Sequence, residues 1–333
     1  MTVSYPPRLS LSRLPTPLQP LERYSKHLGG PRLWVKRDDM TGSLCTGNKV
    51  RKLEFILAHA LDNGYNGLVT CGGVQSNHCR ATAVLAAELG LHCSLLLRGE
   101  ATSVADGNLL LSKLAGAQLH YAAPADYVAN REQLLLEIQQ ADKARGIKSL
   151  IIPTGGSNGI GIWGYIACAG ELQQDFTRLG IAPAAIVHAT GSGGTQAGLT
   201  LGACLHQLNA AVTGINVCDD EAYFQQKIRS DIGEWQQCYQ QASVAAENIK
   251  IHVIDGYVGA GYGKAGDEVM HCIAELARLE GVILDPVYTG KAFYGLTEEI
   301  RKGRYDNDSD IVFIHTGGIF GLYPYREQLT KQL

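Results

Sequence analysis

The chain predicts an α/β fold built as two lobes, each a parallel sheet covered by helices on both faces. Three observations carry this. Short apolar stretches alternate with helix-patterned segments over residues 33–315. The 39 glycines gather in short loops between these segments rather than in repeats. No Pro- or Ser-rich linker divides the 333 residues, so one lobe is expected to be inserted in the other, with the site between them. In such sheets ligands bind beyond the carboxyl ends of the strands.

The elements follow in order. Residues 14–18, punctuated by Pro15 and Pro17, read as extended chain, and 21–28 as a short helix. Residues 33–39 form a strand ending in charges. A helix follows, with Asn48 as its N-cap and Gly64 as its stop. Its Leu53, Ile56, Leu57, Ala60 and Leu61 recur at three and four residues, so that face packs inward. Strands are then expected at 68–71, 92–97, 118–121, 150–152, 185–189, 212–217, 251–254 and 311–315. Helices are expected at 77–89, 107–114, 131–144, 158–173, 195–208, 266–279 and 290–301, and a polar helical stretch runs to about residue 246.

Composition excludes several classes. Hydrophobic residues at 45% and charged residues at 18% are ordinary for a globular chain. A net charge of −3 leaves no basic footprint for nucleic acid. No 18-residue apolar window exists, so no membrane span is expected, and the first 20 residues lack the apolar core of a signal peptide. Nine cysteines without Cys-x-x-Cys spacing argue against a metal site or a disulfide framework. Cys93, Cys168 and Cys204 sit in apolar runs and read as buried thiols. Together these features place the chain in the cytoplasm.

The chemistry centres on Thr46-Gly47-Asn48-Lys49-Val50-Arg51-Lys52. Lys49 falls in a first helical turn, where the positive end of the helix dipole weakens an amine's hold on its proton. That suits a lysine holding an aldehyde as an imine. Lys52, one turn on, can hold an anion. A cofactor carrying both an aldehyde and a phosphate would use both, and pyridoxal phosphate is that cofactor. Residues 190–195, Thr-Gly-Ser-Gly-Gly-Thr, join a strand to a helix and form a candidate phosphate cradle. They match neither a P-loop nor a dinucleotide fingerprint. Gln75-Ser76-Asn77-His78 follows another strand, where Ser76 or Asn77 can cap a helix and Ser76 can hold a carboxylate. Thr154-Gly155-Gly156-Ser157-Asn158 has the same form and reads as capping alone. Tyr288 opens a helix and Tyr262 sits in a glycine loop, either able to pack on a planar ring, and His315 reads as structural.

Lys36-Arg37-Asp38-Asp39, Gly47-Asn48-Lys49, Arg51-Lys52-Leu53-Glu54, Gln75-Ser76-Asn77-His78 and Asp285-Pro286-Val287-Tyr288 together resemble the D-cysteine desulfhydrase and 1-aminocyclopropane-1-carboxylate deaminase family. These are fold-type II pyridoxal-phosphate enzymes. The resemblance implies a tryptophan-synthase-β-like fold, with residues 52–160 as a small lobe inserted in a large lobe of 1–51 and 161–333. It implies that Lys49 carries the cofactor and that Lys52 with Gly191, Ser192, Gly193, Gly194 and Thr195 holds the phosphate. Gln75, Ser76 and Asn77 would engage the substrate carboxylate, with Asn77 near the cofactor ring. Tyr288 would stack on that ring and Tyr262 would line the site. A small amino-acid substrate and a homodimer are also implied.

Within the family, deaminases resemble one another in a Glu after the ring-stacking tyrosine and a Leu before the last Gly-Gly. Thr289 and Thr316 stand there in this chain. The resemblance therefore points to the desulfhydrase pattern, D-cysteine to pyruvate, sulfide and ammonia, with the deaminase disfavoured and an L-cysteate sulfo-lyase, which the family also contains, left open by these residues. A neutral hydroxyl leaves the pyridine nitrogen less protonated than a carboxylate does, which elimination of a thiolate tolerates. Thr46, Trp163 and Phe320 depart from the family's commoner small residues, and would narrow the pocket if they reach it.

Overall fold

The computed structural model describes residues 3–239 and 249–332. In chain order the elements are β1 (Leu18–Pro20), α1 (Glu22–Leu28), β2 (Arg32–Lys36), α2 (Asn48–Asp62), β3 (Gly67–Gly73), α3 (Asn77–Glu88), β4 (His92–Arg98), α4 (Gly107–Leu114), β5 (Gln118–Ala122), α5 (Pro124–Ala144) and β6 (Ser149–Ile151). They continue with α6 (Trp163–Leu179), β7 (Ala185–Thr190), α7 (Gly194–Leu205), β8 (Ala211–Asn216), α8 (Glu221–Cys238), β9 (His252–Ile254), α9 (Asp267–Glu280), α10 (Thr289–Arg301), β10 (Asp310–Ile314) and α11 (Arg326–Thr330).

Two sheets result. The first has the order β1-β2-β10-β7-β8-β9 and the second β5-β4-β3-β6. All pairings are parallel except β1 with β2. Helical crossovers cover both faces of a parallel sheet, so its central strands are apolar throughout. Every residue of β7 and of β10 is accordingly buried. The second sheet draws all its strands from residues 67–151.

The predicted elements differ from the observed ones at particular places, each with a local cause. The stretch 14–18, predicted as extended, leads into an edge strand only at its end, β1 from Leu18, with Pro20 opposite Trp34, an edge being where proline is tolerated. Helix α5 begins at Pro124 rather than at 131, because proline suits a first helical turn. Helix α6 begins at Trp163 rather than at 158. A Cβ on Gly161 would lie 2.0 Å from the Gly156 carbonyl oxygen, so the chain there is a turn folded on itself. Helix α7 stops at Leu205, three residues short of the expected end, and the chain turns at Gln207 with φ 55°. The predicted polar helix is α8 up to Cys238, and its last part, beyond 239, lies outside the described residues.

Helix α2 bridges the two sheets. Val50, Leu53, Ile56, Leu57 and Ala60 pack with Leu68, Leu85 and Leu95 of the second sheet's layer. Phe55, on another side, meets the aromatic group of Trp163 and Trp235. Leu61, expected inside, is exposed, and so is Cys204, while Cys93 and Cys168 are buried. A buried ionic cluster ties the start of α2 to the first sheet. Asp38 accepts from Arg51 (2.9 and 2.8 Å), Tyr165 (2.6 Å) and Thr16 (2.8 Å), and Arg51 continues to Glu171 at 2.8 Å. Burial pushes the Asp38 carboxyl up, but Arg51, Tyr165 and Lys36 outweigh it and hold it below the ordinary carboxylate range.

Candidate active site

Lys49 owes its position to a glycine. Gly47 has φ 99° and occupies the N-cap position of α2 that was expected of Asn48. A Cβ on Gly47 would lie 2.6 Å from the Thr316 carbonyl oxygen, so only glycine fits. The Asn48 N–H donates to that same oxygen at 3.0 Å, and the Asn48 carboxamide donates instead to the Thr195 hydroxyl at 3.0 Å. One tripeptide thus joins the end of β10 to the start of α7. Lys49 follows directly and faces a cleft of about 680 Å³ at the carboxyl ends of the strands. It is partly open to the cleft, makes no hydrogen bond among the described residues, and burial of its amine lowers its pKa to about 8.

The cleft wall contains Lys49, Ser76, Asn77, Gly191, Ser192, Gly193, Thr195, Tyr262, Tyr288 and Thr316. The glycine loop after β7 passes into α7, whose first-turn N–H groups have no intrahelical acceptors. The Tyr288 ring leans on that loop, since a Cβ on Gly191 would meet its Cε1 at 2.9 Å. The Tyr288 and Tyr262 hydroxyls share a hydrogen bond of 2.6 Å. Ser76 caps α3, accepting from the Cys79 N–H at 3.2 Å, which leaves its own proton free for a ligand. The Asn77 carbonyl accepts from Asn108 at 3.0 Å, which turns its NH₂ group away from that contact.

Four expected residues do not line the cleft. The Gln75 carboxamide is committed at both ends, donating to the Asp106 carbonyl at 3.0 Å and accepting from the Asn108 N–H at 3.0 Å, so it braces the start of α4. Thr289 faces Asp285, donating to its carboxylate at 2.7 Å and accepting from its N–H at 2.8 Å. Gly194 lies beneath the loop, its N–H on the Ser157 hydroxyl at 3.2 Å. Lys52 is fully buried there too, donating to the Gly155 carbonyl at 3.2 Å and the Ser157 hydroxyl at 3.3 Å. Thr46, Trp163 and Phe320 also stay out of the cleft. The Thr46 hydroxyl is held by the Asp39 carbonyl, Trp163 sits among Phe55, Trp235 and Tyr239, and Phe320 lies under the Arg80 guanidinium.

The glycine–serine loop at 154–158 is a functional wall rather than a mere cap. Its Ser157 hydroxyl joins Lys52, the Gly194 N–H and the Ser192 hydroxyl, the last at 2.9 Å. Lys227 of α8 lines the same end of the cleft and donates to the Ser157 carbonyl (3.2 Å) and to Asp231. Nothing in the polar pattern of α8 singles out Lys227. His78 is a further residue of this wall. The Thr70 hydroxyl donates to the Ile152 carbonyl, so the 2.8 Å contact places the imidazole proton on Nε2 and leaves Nδ1 bare, buried and without a partner. Burial pushes the His78 pKa far down, and Lys49 and Lys52 add to it, so the ring is neutral. As expected, His315 is structural. Gly317 donates to its Nδ1 at 3.2 Å and its Nε2 contacts the Ile283 carbonyl at 3.0 Å.

These residues fit pyridoxal phosphate. Three amines, Lys49, Lys52 and Lys227, converge, and the carboxylate beside them is Asp231, whose Oδ2 is buried without a donor. Burial pushes Lys52 well below its ordinary pKa, and the Lys49 charge pushes it further. One carboxylate among three amines leaves an excess of positive charge, which a phosphate at the α7 N-terminus would offset. Ser192 and Thr195 add hydroxyls at that end, and Lys49 stands with its amine exposed to the cleft.

The sequence matches the model of the family described as "Pyridoxal-phosphate dependent enzyme" over residues 9–317. It is 40% identical over 324 residues to a D-cysteine desulfhydrase of Salmonella choleraesuis, covering 96% of each chain. It is 39% identical over 330 residues to a putative 1-aminocyclopropane-1-carboxylate deaminase of Pyrococcus abyssi, covering 98% of this chain and 96% of the relative. A solved structure described as an ACC deaminase homologue superposes with a TM-score of 0.86 at 37% identity, covering 98% of this chain and 96% of the other. Sequence, fold and the lysine-centred cleft agree: the chain belongs to the pyridoxal-phosphate-dependent enzymes of fold type II, and is a lyase of the group that contains D-cysteine desulfhydrases and 1-aminocyclopropane-1-carboxylate deaminases.

Proposed function

We propose that this enzyme converts D-cysteine and water to pyruvate, hydrogen sulfide and ammonia. One observation supports desulfhydration over ring opening. The residue at the end of β10 that lines the cleft is Thr316, a neutral hydroxyl. The carboxylate nearest that end, Asp285, already accepts from the Val287, Tyr288 and Thr289 N–H groups and the Thr289 hydroxyl, at 2.7–2.9 Å. It has no capacity left to hold a proton on a pyridine nitrogen. Thr289, read from the sequence as a second determinant, acts only through Asp285.

When bound, pyridoxal phosphate supplies an electron sink for the bonds at the substrate's Cα. The chain's own residues do the rest. The Ser192 and Thr195 hydroxyls, the first-turn N–H groups of α7 and Lys227 would hold its phosphate, with Lys52 adding positive charge from beneath the loop. The Ser76 hydroxyl and the Asn77 NH₂ bind the substrate carboxylate. The Lys49 amine faces the cleft, where it would take the proton from the substrate's Cα. The thiolate then leaves Cβ, and water releases ammonia and pyruvate. The Tyr262–Tyr288 hydroxyl pair lines the same cleft. The same reading carries a cytosolic homodimer, tested by sedimentation of the loaded enzyme.

The test is an assay of purified loaded enzyme with D-cysteine, L-cysteine and 1-aminocyclopropane-1-carboxylate. Sulfide and pyruvate from D-cysteine in equal amounts support the reading. Formation of 2-oxobutyrate from the cyclopropane, with no sulfide from D-cysteine, overturns it.

A further inference from the structure

A lysine outside the steps above stands where a helix dipole disfavours it. Lys291 lies in the first turn of α10, three residues after Tyr288, and its side chain is buried. No carboxylate among the described residues lies within ion-pair distance of it. The acid that attracts it, Asp285, has its oxygens taken by the Val287, Tyr288 and Thr289 N–H groups and the Thr289 hydroxyl. Packing alone favours an apolar side chain at such a position, since an unpaired buried ammonium is unfavourable. Lys291 instead directs its charge at two backbone carbonyls. Its Nζ donates to that of Val258 at 2.6 Å and to that of Gly261 at 2.7 Å.

Both carbonyls belong to the irregular stretch 255–266 between β9 and α9. Gly256, Gly259, Gly261 and Gly263 all have positive φ there, and a Cβ on Gly256 or Gly261 would meet nothing within 4 Å, so the stretch packs loosely. It carries Tyr262 across the cleft. The Arg98 guanidinium carbon lies 5.1 Å from the Tyr262 ring centre, and a Cβ on Gly73 would lie 3.9 Å from the ring's Cε1. Arg98 and Gly73 are the last residues of β4 and β3, in the second sheet. On the other side, the Tyr262 hydroxyl bonds that of Tyr288, at the N-cap of α10. Lys291 thus ties the helix that starts after Tyr288 to the loop that holds Tyr262. We propose that Lys291 is a positioning residue: by clamping the Val258 and Gly261 carbonyls it fixes Tyr262 against Tyr288 and the second sheet, and so sets the wall of the cleft that the substrate meets. This inference rests on the assignment of the cleft as an amino-acid β-elimination site.

The experiment compares the loaded wild type with K291M, Y262A and the double variant K291M/Y262A. Three quantities are read: kcat and KM for pyruvate formation from D-cysteine, the affinity for D- and L-alanine from the cofactor absorbance, and hydrogen exchange of the backbone amides of 255–266. K291M should lower kcat/KM by about 10- to 100-fold when Tyr262 is present and by less than about twofold in the Y262A background, because a displacement of about 1 Å costs that much only while the displaced group is there. Alanine affinity should follow the same pattern. Exchange over 255–266 should speed up in K291M while the amides of both sheets keep their protection. Equal fold losses in both backgrounds would mean that Lys291 does not act through Tyr262. Unchanged kcat/KM, or unchanged loop exchange, would mean that the clamp holds nothing the reaction needs; each of these overturns the inference. If K291M does not fold, K291A replaces it: recovery of activity on adding ethylammonium, which carries the missing charge, but not on adding ethanol supports the clamp, and no recovery overturns it. Absence of pyruvate from D-cysteine in the wild type overturns the proposed reaction instead, while the alanine affinities and the loop exchange still decide the role of Lys291.

Discussion

Replacing Lys227 by Gln tests the phosphate end of the cleft most directly. Lys227 reaches the loop from outside, across α8, and its amine donates to the Ser157 carbonyl and to Asp231. A charge-assisted hydrogen bond contributes about 1.5–3 kcal/mol, so losing one to a phosphate weakens cofactor binding about 10- to 150-fold. The substitution also strands Asp231. Burial already pushes that carboxyl up, and Lys227 is its strongest counterweight. Without Lys227, an ionised Asp231 stands near the phosphate and repels it. The double variant K227Q/D231N should therefore bind the cofactor more tightly than K227Q alone. Binding to K227Q should also strengthen as pH falls, because protonation of Asp231 removes the repulsion. The assay is titration of cofactor-depleted protein with pyridoxal phosphate, followed by tryptophan fluorescence and absorbance, with inorganic phosphate as competitor. A dissociation constant for K227Q within twofold of wild type, with no response to the second substitution, would refute the assignment of Lys227 to the cradle.

Three further outcomes follow from the geometry. Lys49→Ala should abolish turnover and the yellow absorbance of the loaded protein, and in cofactor-depleted wild type an acylating reagent should modify Lys49 with a midpoint near pH 8, faster above it because the neutral amine predominates there. Asp38→Asn breaks a fully buried ion pair with Arg51 and should cost about 3–5 kcal/mol in denaturant unfolding; because the folded carboxyl sits below its ordinary pKa of 3.8, the wild type should keep this contribution above that pH and lose it as pH falls further. Gly164→Ala places a Cβ 2.5 Å from the backbone of Arg51 and 2.7 Å from the Lys52 nitrogen; overpacking of about 1–3 kcal/mol outweighs the helix-propensity gain of about 1 kcal/mol, so thermal stability and cofactor affinity should fall together, and an unchanged melting temperature would show that α6 and α2 are not in rigid contact.

Much of this enzyme was legible locally. Strand and helix alternation, the inward face of α2, the Ser76 cap and the glycine loop before α7 are set by neighbours within a few residues, where periodicity and capping chemistry act. The first-turn position of Lys49 was readable for the same reason, since it is a local property. What the sequence could not decide was which polar side chains are already occupied. Gln75 carries the right chemistry for a ligand, yet Asp106 and Asn108, brought against it by the fold, take up its hydrogen bonds; Thr289 is occupied locally, by Asp285 four residues before it. Ser157 is the opposite case. Its loop reads as a cap, and only the packing of α2, α7 and α8 around it makes it the junction beneath the glycine loop that opens α7. Lys227 has no local signature, because a cation's role depends on which groups lie near it in space. The sequence by itself therefore determined the class of fold and the cofactor. The tertiary structure alone decided which hydroxyls, amides and cations remain free to meet a substrate, because hydrogen-bond and charge satisfaction are settled between segments far apart in the chain.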